Sequence, residues 1–261
     1  MAGYAEARGR RPRLIGREVR HLAVVGSTMD VARELAAAGG PEGLVVRAEE
    51  QTAGRGRHGR RWVAPPGTSL LFTVLLRPPT EAVEWLPMAA AVGVARAVEK
   101  LTGLKPAVKW PNDLVIEGRK FAGILVETEF FGGELGWALV GIGINVNWDP
   151  AEVPELAGQA TSLARELGGP VDREALFREV LWELDRAYRR LRAGWRPFFA
   201  WRRRLITVGR EVEVVAGGEK LKGLAVGVDR AGRLRLRTDS GRTRLLSFGE
   251  VFNLARPEPA Q

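Results

Sequence analysis

A chain of 261 residues, 45% hydrophobic and 27% charged, can bury one sizeable core plus a smaller second unit and has the balance of a globular protein. It has no cysteine and only two histidines, His21 and His58, so disulfides, thiolate chemistry and a Cys- or His-rich metal centre are excluded. No apolar run approaches the roughly 18 residues of a membrane span, the basic N-terminal stretch lacks the apolar centre of a secretory signal, and the formal charge of +9 suits an acidic macromolecular partner or nucleic acid.

In chain order, residues 1–17 read as a loose basic arm and HLAVVG, residues 21–26, as a strand. Ser27 and Thr28 then supply hydroxyls at a helix start, with Asp30 in the first turn and Val31, Leu35 and Ala38 spaced for one face. Such a strand, polar turn and helix N-terminus offer a place for an anion or polar ligand. Two further apolar runs, Val45-Val46 and residues 70–76, bracket a segment in which Gly54, Gly56 and Gly59 alternate with Arg55, Arg57, Arg60 and Arg61. Guanidiniums this close repel one another unless an anion joins them, and their forked donors match phosphate or carboxylate oxygens. The segment is either a solvated basic loop or a loop that closes over a polyanion.

After Pro78-Pro79, an alanine-rich helix is expected over residues 81–101. AVKWPNDLVIEGRKFAGILVETEF follows, read as a strand ending near Trp110, a turn at Pro111-Asn112, a short strand over 114–116 and a longer one over 121–129. Residues 135–146 form another strand, pairing antiparallel with the last across Gly132-Gly133. Its Gly141 and Gly143 stand at i and i+2 and thin one face, making room for a ligand, a bulge or a packed helix. Residues 148–158 are loop, Thr161 is expected to cap a short helix to 167, and Asp172 begins a long helix with Leu176, Val180, Leu184 and Tyr188 as its buried stripe. A helical piece over 195–205 carries Arg202, Arg203 and Arg204, solvated or meeting an acidic partner. From Thr207, short alternating runs separated by Gly-Gly, Asp-Arg-Ala-Gly and Asp-Ser-Gly turns predict a small β-barrel with Phe248 and Phe252 in its core. The expected fold is α+β: residues 1–206 form a mixed sheet flanked by helices, and residues 207–261 the barrel.

AEEQTAGRGRHGRRWVAPPGTSLLFT, KWPNDLVIEGRKFAGILVE and GIGINV occur in that order, and the end region carries GVDRAGRLRL and GEV. Over residues 20–253 the chain resembles the biotin protein ligase (biotin–[acetyl-CoA-carboxylase] ligase) family. The resemblance implies a catalytic fold like that of class II aminoacyl-tRNA synthetases and lipoate ligases, with an SH3-like C-terminal barrel. It implies that biotin and ATP form biotinyl-5′-AMP, which then acylates a lysine of a biotin carboxyl carrier domain.

By the same resemblance, Arg55, Arg57 and Arg60 belong to a loop that orders over biotin and the adenylate, with Trp62 packing as it closes. Gln51 and the Gly54 backbone bond biotin, Ser27 and Thr28 face its rings, and Gly123, Leu125, Gly141 and Gly143 lie beneath it. Lys120 sits near the biotin carboxylate and α-phosphate, and Asn145 near the nucleotide. Asn112 belongs to the nucleotide site or forms the turn. Asp113 binds Mg²⁺ or positions the incoming lysine, since hard oxygen ligands suit that ion. Catalysis is thus expected from Lys120, Arg55, Arg57 and Asp113.

The family's Ser-Thr-Asn turn reads Ser27-Thr28-Met29 here, which bears on fine specificity, because a thioether cannot replace an amide's hydrogen bonds. About 20 residues precede the first strand, too few for the helix-turn-helix of bifunctional relatives, so a monofunctional ligase without DNA binding is expected. The partners expected are an acidic carrier domain and a second copy of the chain, in the cytoplasm and away from membranes. Lipoate or octanoate transfer is the nearest alternative, opposed by the full GRGRHGRRW loop. A nucleic-acid-binding module, suggested by the charge and the barrel, lacks an evident stacking platform.

Overall fold

The computed structural model describes residues 12–252. A seven-stranded mixed sheet has the order β1-β2-β3-β7-β6-β5-β4, formed by Val19–Val25, Val45–Gln51, Ser69–Leu76, Glu134–Asn145, Arg119–Phe131, Asp113–Ile116 and Ala107–Lys109 respectively. Only β1 and β2 run parallel; every other neighbouring pair is antiparallel. All eight residues of β3 are buried, as its unbroken SLLFTVLL predicts for a central strand packed on both faces.

One face carries α2 (Leu86–Thr102) and α4 (Arg173–Arg192). Residues 80–85 form a 3₁₀ turn instead of the expected first helical turn, and Pro87 stands at the start of α2, where its missing N–H costs nothing. Alanines line α2, and Gly93 lets α4 approach: a Cβ there would lie 3.1 Å from Leu184 Cδ2. Asp172 caps α4 by accepting from Glu174 and Ala175 N–H, and Leu176, Val180, Leu184 and Tyr188 are all buried.

The other face carries α1 (Thr28–Ala37), whose buried side is Thr28, Met29, Ala32 and Ala36. The expected Val31–Leu35–Ala38 face is one position out of phase: Val31 and Leu35 only flank the core and Ala38 is exposed. Ser162, not Thr161, caps α3 (Leu163–Leu167), since the Thr161 hydroxyl is engaged by Glu166. The helix expected over 195–205 shrinks to α5 (Phe198–Arg202), after which residues 204–206 bond along the edge of β4. Arg204 there pairs with Glu99 and is not a solvated charge.

A second sheet, all antiparallel, stands where the barrel was expected, in the order β11-β10-β9-β8-β12: Thr243–Leu246, Leu234–Thr238, Glu219–Val228, Glu211–Ala216 and Glu250–Phe252. Phe248 is 51% exposed and Phe252 half-buried, so neither is the core residue expected. Val212, Val214, Leu234, Leu236 and Val251 continue the main core into this sheet. Trp110 joins the two by donating from its backbone N to Thr207 Oγ1 at 2.9 Å and from Nε1 to Gly232 O at 2.8 Å.

Residues 1–11 of the expected basic arm lie outside the described residues; from residue 13 onward the segment is not loose. The N–H groups of Arg13, Leu14 and Ile15 donate to Asp185 of α4 at 2.9–3.2 Å, and Ile15 is buried. Asp185 is fully buried and also accepts from Arg189 Nε at 2.9 Å. Asp185→Ala leaves the buried Ile15 N–H and the part-buried N–H groups of Arg13 and Leu14 without their acceptor and is expected to lower the unfolding free energy by about 3 kcal/mol. Urea unfolding at constant m-value checks this, and Asp185→Asn should cost less because its amide oxygen still accepts.

Candidate active site

A cavity of about 240 Å³ opens on the same face as α1. Its floor follows from strand register. Thr73, Gly141 and Leu125 stand opposite one another across β3, β7 and β6, and Leu71, Gly143 and Gly123 form the next row. Residues two apart share a face, so the three glycines make one bare shelf. Two side chains of the chain itself rest on it. A Cβ on Gly143 would lie 2.6 Å from Trp62 Cε2, one on Gly123 3.0 Å from Trp62 Cζ3, and one on Gly141 2.9 Å from Met29 Sδ.

At one end of the shelf, the start of α1 meets the end of β2. Ser27 caps the helix, its Oγ accepting from Met29 N at 3.3 Å. Thr28 donates to Gln51 Oε1 from both N (2.8 Å) and Oγ1 (2.9 Å), and its hydroxyl lies 2.8 Å from that of Thr73. These bonds occupy the Gln51 oxygen and leave its Nε2 as the group it offers a ligand.

The rest of the rim is cationic. The glycine-spaced arginines form a tight hairpin: Trp62 N bonds Gly54 O at 2.9 Å, Gly56 N bonds Arg60 O at 2.7 Å, and Gly59 takes a positive φ of 71° at the tip. Each of the four guanidiniums finds its own acceptors, so none shares a partner with another. Arg55 makes a forked pair with Asp30 at 2.6 and 2.7 Å, Arg57 reaches Asn112 Oδ1 (3.1 Å) and Gly249 O (3.3 Å), Arg60 pairs with Glu250, and Arg61 donates to Thr52 O at 2.9 Å. Across from the hairpin, Lys120 Nζ lies 2.6 Å from Asp113 Oδ1 and 5.6 Å from the Trp62 ring centroid. Burial lowers the pKa of Lys109 and of Arg57, opposed for both by Asp113 and Glu250.

Ser27, Thr28, Gln51, Arg55, Arg57, Arg60, Trp62, Asn112, Asp113, Lys120, Gly123, Leu125, Gly141, Gly143 and Asn145 all line this cavity. Gly54 does not. It is buried behind Gln51, whose Nε2 would stand 3.0 Å from a Cβ there. Asn112 does more than turn the chain, since its Nδ2 also donates to Ile124 O at 2.5 Å. Asn145 Nδ2 donates to Thr161 O at 3.1 Å while its Oδ1 is buried without a partner, as is Trp62 Nε1.

Sequence reasoning missed two walls. Leu156 comes from the stretch read as plain loop, and Gln159 and Ala160 from the two positions between it and the expected cap at Thr161; backbone bonds between Lys120 and residues 159 and 161, which no side chain announces, hold them. Gly249, Glu250 and Val251 come from the second sheet; the GEV triplet, an acid just after a glycine near the chain's end, was their one signal.

A bare shelf between a polar helix N-terminus and a cationic hairpin suits an enzyme that joins a carboxylic acid to a phosphorylated partner. Residues 22–145 match the biotin/lipoate A/B protein ligase family and residues 207–253 the biotin protein ligase C-terminal domain. The chain is 36% identical to the biotin–[acetyl-CoA-carboxylase] ligase of Mycobacterium tuberculosis, over 95% of this chain and 96% of that one. With the bifunctional ligase/repressor BirA of Bacillus subtilis it shares 34% identity, over 92% of this chain and 75% of that one. The solved biotin protein ligase from Aquifex aeolicus in complex with biotin and ATP superposes with a TM-score of 0.75 at 28% identity, covering 90% of this chain and 98% of that one. This chain belongs to the biotin protein ligase family.

The Arg55 fork, opposed by partial burial and reinforced by Arg33, holds the Asp30 carboxyl at about 2 instead of the ordinary 3.8. A carboxylate with a depressed pKa contributes stability above its unfolded pKa and loses it as pH falls toward its folded one, here from about 4 to about 2. A ¹³C carboxyl titration should place the Asp30 midpoint near 2, and Arg55→Gln should raise it part of the way to 3.8 because Arg33 remains. The variant should also lose less melting temperature than the wild type between pH 4 and pH 2.

Proposed function

We propose that this chain activates biotin with ATP as biotinyl-5′-AMP and transfers the biotinyl group to a lysine of the biotin carboxyl carrier domain of acetyl-CoA carboxylase. The observation that carries the reading is the convergence of the glycine shelf, the arginine hairpin and Lys120 on one cavity, in a chain similar along almost its whole length to a biotin–[acetyl-CoA-carboxylase] ligase. The biotin rings lie at the Ser27, Thr28 and Gln51 end, and the valeryl chain runs over the shelf toward Lys120.

A carboxylate oxygen attacks the α-phosphorus of ATP, the acyl–phosphate bond forms, and the bond to the β-phosphate oxygen breaks to release pyrophosphate. Two anions must meet in that step, so fixed positive charge lowers its barrier most where charge accumulates. Lys120 supplies a compact charge at that point, oriented by Asp113. Arg55, Arg57 and Arg60 take phosphate oxygens in exchange for their present acceptors, and Trp62, which rests on the shelf, moves off it to cover the acid. Asn145 offers its unpaired Oδ1 to the amino group of the base. In the second step the carrier lysine, as a neutral amine, attacks the acyl carbon; an amide forms and AMP leaves with the bonding pair.

Mg²⁺ belongs to this reading as a companion of ATP. Asp113 is a hard-oxygen carboxylate in the cavity lining and would hold the ion together with phosphate oxygens. Bound there, it would neutralise phosphate charge. The net charge of +9 suits an acidic carrier surface. A homodimer and a cytoplasmic location complete the reading: Phe130 and Phe131 stay exposed on a stretch of β6 that β5 does not cover, and no helix among the described residues is long and apolar enough to cross a membrane.

Without carrier, the purified protein given biotin and ATP·Mg²⁺ should release one pyrophosphate per chain, and added carrier should turn this into continuous turnover. Release without any added acid, or release with lipoate but none with biotin, would sink the reading. Lys120→Ala should lower the rate of the pyrophosphate burst by about 10²-fold or more while biotin affinity in calorimetry changes by less than about tenfold.

A further inference from the structure

Met29 stands on the border between two packed regions. On one side it belongs to the small core beneath α1, with Ala32, Ala36, Val46, Leu75 and Leu139. On the other it lines the cavity, 4% exposed, with its sulfur on Gly141 at the end of the shelf. The backbone N–H of Met29 is taken by Ser27 Oγ, so residue 29 presents only a thioether to whatever occupies that end. A thioether is flexible, polarizable and a weak acceptor. The polar atoms beside it are largely engaged with one another: Thr28 with Gln51 and Thr73, and the Gln51 oxygen with Thr28. The head end of the pocket is therefore half directional, through Gln51 Nε2, and half apolar, through Met29.

We propose that Met29 is a specificity-determining residue that forms the apolar wall at the ring end of the acid pocket and selects the head group there by size and apolar contact. This rests on the reading of the cavity as the biotin pocket. An apolar wall discriminates weakly, by about 10- to 200-fold per methylene, whereas a buried polar group left unpaired by the wrong ligand discriminates far more strongly. Changing the chemistry at residue 29 while keeping its shape should thus change the ratio of biotin to an acid with an apolar ring, and should act on KM more than on kcat.

The test uses wild type, Met29→Leu, Met29→Gln and Met29→Ala in the pyrophosphate-release assay. Biotin is the substrate, and lipoate is measured as substrate or as competitor. A thermal melt of each variant separates folding from binding. Met29→Leu should keep the biotin KM within about threefold and the biotin-to-lipoate ratio within about twofold, because it conserves volume and polarity. Met29→Gln should raise that ratio about tenfold, because the ureido ring can satisfy the new amide and a dithiolane ring cannot. Met29→Ala should raise the biotin KM about tenfold with kcat nearly unchanged, through lost apolar contact. If Met29→Gln does not fold, the contrast between Met29→Leu and Met29→Ala still decides the size component.

A biotin KM and a biotin-to-lipoate ratio that stay at wild-type values through folded Gln and Ala variants would overturn the proposal. So would a wild type with which lipoate, at millimolar concentration, neither reacts nor competes. Absence of biotin-dependent pyrophosphate from the wild type would instead overturn the underlying reading of the cavity, and this inference with it.

Discussion

The removal of side chains from one patch of a filled sheet is the constraint on which the site depends. Glycine weakens a strand, because it adds backbone freedom and contributes no packing. The patch lies where the sheet can tolerate this. Gly141 and Gly143 sit on β7, which is paired along this stretch with β3 on one side and β6 on the other. The opposite face of the same strands is packed, with Val140, Ile142 and Ile144 buried in the main core beneath α2 and α4. The floor is held from three directions and need not be held from the fourth. Thr73, Leu71 and Leu125 are the non-glycine neighbours in the two rows, and Leu125 lines the cavity beside the shelf.

A second constraint is electrostatic. Four arginines in one short hairpin require acceptors, and the kinds of acceptor differ in a way that matters. Arg55 and Arg60 are paired with carboxylates at half-exposed sites, where an ion pair is worth little and is readily exchanged for a stronger anion. Arg57 is more buried and is held by an amide and a backbone carbonyl, neither of which carries a charge. Its charge is the least compensated of the three. A triphosphate entering the cavity would therefore meet a backbone already folded as a hairpin, two arginines that must change partners and one that already wants an anion. Ordering has a smaller entropic cost when the backbone is shaped beforehand.

What was legible in the sequence was what periodicity and local chemistry encode. SLLFTVLL read as a strand and is one buried on both faces, the Leu176-to-Tyr188 stripe read as a core helix face and is one, and of the ligand, bulge or packed helix left open for Gly141 and Gly143 the structure has a thinned strand face over a cavity. The face of α1 was misread because its buried positions include the small residues Ala32 and Ala36, while the larger Val31 and Leu35 lie at the margin. Size misled where geometry decided. The Leu156–Gln159–Ala160 wall was invisible for another reason: backbone hydrogen bonds place it, and any sequence can make those. Met29 was read as a departure, yet no spacing revealed that its sulfur would lie on Gly141.

The contribution of the second sheet shows why a boundary in composition is not a boundary in function. The chain changes character near residue 207, and β8 to β12 make a self-contained antiparallel ladder. Yet the last strand of that ladder delivers Glu250 to Arg60 and Val251 to the cavity wall, and Gly249 O to Arg57. Trp110 fastens the same sheet to the lysine-bearing region through Gly232 O. The hairpin is thus clamped between the large sheet, through Asn112, and the small one, through residues 249 and 250. Any displacement of the small sheet must loosen Arg57 and Arg60 together. The charge balance of the cavity is then a property of how the two sheets are joined, and the buried tryptophan at that joint is as much a part of the site as the arginines it helps to hold in place.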